Sequence, residues 1–89
     1  MLNEKEKEII INCARKYKVA SVFLFGSSIE KEGEAHDIDI GVKGIEPHLF
    51  FKFYAELFKY LPKSVDLVDL SKKSLFNDIV EKNGIKIHG

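Results

Sequence analysis

The chain has little of several things, and each shortage excludes something. Cys13 is its one cysteine, so no internal disulfide forms. A lone thiol in an apolar stretch reads as a small buried hydrophobe, and it fits a reducing, cytoplasmic compartment. Net charge is missing as well, since 14 Lys and Arg cancel 14 Asp and Glu. Nonspecific nucleic-acid binding draws on a basic field, so nucleic acid is a poor expectation as partner. No apolar run approaches the ~20 residues that span a bilayer, and no membrane association is expected. The opening Met-Leu-Asn-Glu-Lys-Glu-Lys-Glu is charged and helical in character, unlike a signal peptide. Repeats, low-complexity stretches and flexible linkers are also missing. A chain of 89 residues makes one domain at most, read here as a single domain over 1–89.

What is present is aromatic and patterned. Seven Phe and three Tyr supply core volume in a small chain. Residues 3–18 predict a helix, with Asn3 as N-cap and Ile9, Cys13 and Tyr17 as one stripe beside Ile10 and Ala14. Val19 to Phe25 is almost continuously apolar, which predicts a central strand covered on both faces. Gly26 breaks it, and Ser27 or Ser28 is placed to cap a short turn over residues 29–31. Residues 30–36 are polar and read as a surface loop. Asp37 to Lys43 alternates as a second strand, antiparallel to the first. Residues 47–61 predict a long helix opened by Pro47 and stopped by Pro62. Its Leu49, Phe53, Leu57 and Leu61 form one stripe, with Phe50, Tyr54 and Phe58 beside it. That surface is wider than a ~100° core stripe: either the helix is buried on two sides, or its outer flank docks a partner protein. Val65 to Leu70 predicts a third strand, residues 72–82 a helix capped by Ser71 or Ser74, and Ile85 to His88 a last short strand. The order α-β-β-α-β-α-β is a mixed α/β (or α+β) fold, a small sheet with helices packed on it.

Two features carry chemistry. Asp37 and Asp39 are two apart on one strand, so both carboxylates project from one face. Such a pair suits hard cations with oxygen ligands, magnesium above all. Asp66, on the neighbouring predicted strand, is the candidate third acid. Alternating Asp on a strand is also what a solvated sheet face looks like. The second feature is Gly26-Ser27 after an apolar strand. A residue without Cβ lets backbone approach a phosphate, and amides at the next turn donate to anions. One arm would hold triphosphate oxygens and the other the metals that bridge them. The remaining polar candidates read as structural: Asp69 as a cap, and His36, His48 and His88 without a pattern.

Leu24-Phe25-Gly26-Ser27, then Asp37-Ile38-Asp39-Ile40, then Val65-Asp66-Leu67-Val68 after a helix, resemble the nucleotidyltransferase fold of the DNA polymerase beta superfamily. Its short, minimal nucleotidyltransferases are the most similar members. The resemblance covers nearly the whole chain. It implies that Gly26, Ser27 and Ser28 bind the nucleotide. It implies too that Asp37, Asp39 and Asp66 are both the catalytic acids and the ligands of two Mg2+ ions, with Asp66 helping to deprotonate an acceptor hydroxyl. The implied reaction moves a nucleoside monophosphate, AMP from ATP, to a hydroxyl and releases pyrophosphate. Small members are antitoxins of HEPN-family toxins and adenylylate a tyrosine of that partner. Many relatives have Arg after Gly-Ser, where this chain has Ser28; Lys31 and Lys43 are the candidate substitutes. Larger relatives carry a second domain for base and acceptor, so here a partner or a second copy is expected to supply that surface.

Three functions are compatible with these residues. The first is the magnesium-dependent adenylyltransferase with a HEPN toxin partner. The second is an antitoxin that neutralises its partner by contact without catalysis. The third is transfer to a small molecule.

Overall fold

The computed structural model describes residues 2–29 and 37–89, with the backbone alone at Ser27. The expected polar loop 30–36, with Lys31 and His36, lies outside the described residues.

Helix α1 runs Glu4–Lys16 and starts as its sequence dictates. The Glu6 amide donates to Asn3 Oδ1 (2.8 Å), and the Asn3 amide donates back to Glu6 Oε1 (3.0 Å), closing a capping box. Strand β1 is shorter than the apolar run predicts, Ser21–Leu24. The chain leaves α1 through Lys18 at φ +55°, so Val19 is spent on the turn and Phe25 on the exit. Gly26–Ile29 forms a 3-10 turn, followed across the undescribed loop by β2, Asp37–Lys43.

The predicted helix 47–61 is split. Pro47–Leu49 forms a 3-10 turn and α2 runs Phe50–Tyr60. The Leu49 amide donates to the Glu46 carbonyl three residues back (2.8 Å), the tighter ladder common at a helix start. Strand β3 is Ser64–Asp69, α3 is Leu75–Asn83 and β4 is Ile85–His88. Ser74, not Ser71, caps α3: its Oγ accepts the Asn77 amide at 3.0 Å, which starts the helix later than expected.

The sheet order is β3-β2-β1-β4. Strand β1 is central and antiparallel to β2 and β4, and β2 runs parallel to β3. A parallel pair needs a crossover, and α2 is that crossover. One face of the sheet carries Val22, Leu24, Ile38, Ile40, Val42 and Val65, packed against Ile10, Ala14, Phe53 and Leu57 of α1 and α2. Each such fully buried Val, Leu, Ile or Phe contributes about 1.5–3 kcal/mol. Tyr54 fixes α2 to the edge strand, its hydroxyl donating to the Val65 carbonyl at 2.6 Å. On the other face Phe23, Leu70 and Val80 form a smaller core under α3, with Phe25 and Val68 at its border. The acids of interest lie on this second face, beside α3.

The aromatic excess of α2 resolves toward an open flank. Phe53 and Leu57 are buried, whereas Phe51 is 77% and Phe58 59% exposed. Burial on two sides is therefore not what the fold does. No helix among the described residues is long and apolar enough to cross a membrane.

Candidate active site

Register brings the acids together. Along the parallel β2–β3 pair, Asp39 stands opposite Asp66 and Asp37 opposite Ser64. Paired residues on neighbouring strands project to the same side, so Asp39 and Asp66 sit side by side at a strand spacing of ~4.8 Å. Asp37 is one pleat further toward the start of β2. Asp37 and Asp66 are exposed and Asp39 is half-buried.

The turn after β1 meets this row directly. The Phe25 amide donates to the Asp39 carbonyl (3.2 Å), extending the β1–β2 ladder by one step. Gly26 follows at φ +57°, a left-handed conformation that favours glycine. A Cβ built on Gly26 would stand 2.5 Å from Asp39 Oδ2. The missing side chain is thus what lets the turn and the carboxylate touch. The strand, the turn and the acid were legible separately; their contact was not.

Ser28 differs from its expected role. Its side chain is fully buried, and its Oγ accepts the Asp39 amide hydrogen at 2.8 Å. Its own amide donates to the Phe25 carbonyl at 3.1 Å. The Ser28 hydroxyl therefore faces inward and holds the Asp39 backbone. Two adjacent serines after a glycine give no signal of which one turns in.

Lys43 does not stand in for the missing Arg. It is six residues along β2 from Asp37, about 20 Å, and its Nζ pairs with Glu81 of α3 at 2.7 Å. Asp69, expected as a cap, instead accepts the Ser71 amide at 2.9 Å and closes the turn after β3, while Ser74 caps α3. His88 Nε2 lies 3.0 Å from the Val19 carbonyl, tying β4 to the start of β1.

The donor set suits a hard cation in kind, since every candidate ligand is a carboxylate oxygen. In number it is not a closed cage. Among the described residues no three acidic, His or Cys side chains stand together as a metal-binding group. Magnesium does not require one: it is commonly held by one or two carboxylates, with substrate phosphates and water completing its shell. The Asp37–Asp39 side of the row, open to solvent next to the Gly26 turn, fits that pattern. Asp66 is its neighbour across the strand pair.

The comparisons with known proteins agree with this architecture. A solved structure described as the toxin–antitoxin MntA–HepT superposes at TM-score 0.73, with 25% identity over 98% of this chain and 73% of that one. A second, the toxin–antitoxin with AMP-PNP, gives TM-score 0.73 and 29% identity over 99% of this chain and 74% of that one. A third, from Shewanella oneidensis, shares the fold at TM-score 0.73 and 22% identity, covering 99% of this chain and 73% of that one. No curated protein gives a significant match. The family described as polymerase beta, nucleotidyltransferase matches residues 7–89, and the chain belongs to that family.

Proposed function

We propose that residues 1–89 form a single minimal nucleotidyltransferase domain that transfers AMP from ATP, with Mg2+, to a tyrosine hydroxyl of a HEPN-family toxin, and so acts as its antitoxin. The observation that carries this reading is the register of Asp39 with Asp66 on the face where Gly26 touches Asp39. Two similar structures support it, one a toxin–antitoxin pair and the other a toxin–antitoxin with an ATP analogue.

Each residue has a role in that reaction. Asp37 and Asp39 hold the magnesium, which, when bound, neutralises charge on the phosphates and stabilises the leaving pyrophosphate. The turn at Gly26 and Ser27 faces the triphosphate oxygens. Ser28 keeps Asp39 in place. Asp66 accepts the proton of the tyrosine hydroxyl as its oxygen bonds to the α-phosphorus and the bond to pyrophosphate breaks, which is general-base catalysis. The acceptor surface comes from the partner.

A second reading, neutralisation by contact alone, is favoured by the open flank of α2. Phe51, Tyr54, Ala55 and Phe58 line a shallow groove of about 480 Å³ there. Labelled ATP with Mg2+ and the toxin separates the two. Transfer that is lost in Asp37→Ala and Asp39→Ala supports the enzyme. A tight complex without transfer, unchanged in those variants, supports contact.

A further inference from the structure

We propose that Phe76 of α3, resting on Phe25, is a stacking platform for the purine base of the bound nucleotide. The inference rests on the nucleotidyltransferase reading above and adds a base subsite to it.

Three observations converge. Asp66, Asp39 and Phe25 form a row across β3, β2 and the exit of β1. Asp39 is in register with Asp66 and accepts the Phe25 amide through its carbonyl. At ~4.8 Å per strand the row spans about 10 Å. Phe25 belongs to the border of the core under α3, so its ring lies on the same face as the carboxylates. Phe76 and that ring pack edge to face, with centroids 6.0 Å apart and planes at 83°. Phe25 therefore ends the row opposite Asp66, one residue before the Gly26 turn, and Phe76 packs on it.

Phe76 also stands outside the core beneath α3. The core beneath α3 is made by Phe23, Leu70 and Val80, while Phe76 is 53% exposed. Edge-to-face contact with Phe25 fixes the ring and leaves about half of its surface open. A ring held in place and half exposed presents the surface that base stacking uses. Leu75 and Ile79 are exposed on the same helix and widen the apolar rim.

The chemistry sets the preference. Phe76 offers a π face and no hydrogen-bonding atom, so it reads stacking area rather than base edges. Purine triphosphates bind more tightly than pyrimidine ones, with little difference between adenine and guanine from this residue.

Titration calorimetry with Mg2+ compares ATP with inorganic triphosphate, which lacks the base. Wild type binds ATP more tightly than triphosphate. Phe76→Ala weakens ATP binding about tenfold, the size of one base–aromatic stack, and leaves triphosphate binding unchanged. Phe76→Trp retains ATP binding, and Phe51→Ala, on the remote α2 flank, has no effect. The inference is overturned if Phe76→Ala binds ATP as wild type does, or loses both ligands equally. A wild-type protein that binds triphosphate and ATP alike overturns the base subsite alone. One that binds neither overturns the nucleotidyltransferase reading together with it.

Discussion

The buried hydroxyl of Ser28 accepts the backbone amide of Asp39 at 2.8 Å. This bond joins the turn after β1 to the strand of acids. It gives the Ser28 hydroxyl a structural bond inside the fold. Ser28→Ala leaves the Asp39 amide without its partner in a buried setting, which costs about 1–3 kcal/mol. The urea midpoint falls accordingly, and transfer falls because Asp39 loses its anchor. A serine that contacted phosphate would show the opposite pattern, with stability unchanged and ATP binding weakened.

Gly26 is the other half of that junction. Gly26→Ala meets two penalties: a left-handed backbone, about 1–2 kcal/mol for a residue with Cβ, and a contact of 2.5 Å with Asp39 Oδ2. Transfer is expected to drop at least tenfold as the carboxylate is pushed aside. Gly44→Ala provides the control. Gly44 also has positive φ, +75°, but its Cβ would meet Ala20. That variant loses stability in a melting experiment and keeps its acids in place.

Much of this was visible in the residues themselves. The period-two alternation of Asp37 and Asp39 against Ile38 and Ile40 announces the acidic face, and Asn3 announces the start of α1. Other features need the third dimension. That β2 pairs in parallel with β3, setting Asp39 opposite Asp66, depends on the α2 crossover rather than on any local pattern. Whether Ser27 or Ser28 turns inward depends on which hydroxyl meets the Asp39 amide. Phe25 and Phe76 are neighbours only because α3 folds back over the sheet. The open flank of α2 was one of two readings of an over-wide apolar helix, and the packing of α1 decides between them.

The core gives a graded pair of stability variants. Phe53 is fully buried between α1 and the sheet, so Phe53→Ala costs about 3–5 kcal/mol. That is a large share of the total stability of so small a domain. Tyr54→Phe removes only the hydrogen bond to the Val65 carbonyl and costs about 0.5–1.5 kcal/mol. Equilibrium denaturation of the two variants checks both the order and the spacing.

The α1–α2 contact has a pH signature. Burial, and then the hydrogen bond to Glu56, push the Cys13 thiol up from 9.0 to about 11. The folded protein therefore holds this proton more tightly than the unfolded chain. Its contribution to stability is complete below about pH 9 and is lost as pH rises toward 11. Iodoacetamide at pH 8 should label folded Cys13 far more slowly than the urea-unfolded chain. Labelling at equal rates would contradict the buried geometry. Glu56 moves the other way, held below the ordinary carboxylate range chiefly by the Lys16 ammonium at 2.6 Å. Its contribution is present above the ordinary Glu value and is lost as pH falls through the depressed one.

The most direct test of the account is single-turnover transfer of labelled AMP from ATP to the HEPN-family toxin, in wild type, Asp39→Asn and Asp66→Asn. The account predicts efficient transfer by wild type and none by Asp39→Asn. For Asp66→Asn it predicts a rate about 100-fold or more lower with ATP binding retained, the scale of a lost general base. Transfer that survives in Asp39→Asn, or a wild-type protein that silences the toxin with no labelled product, would contradict it.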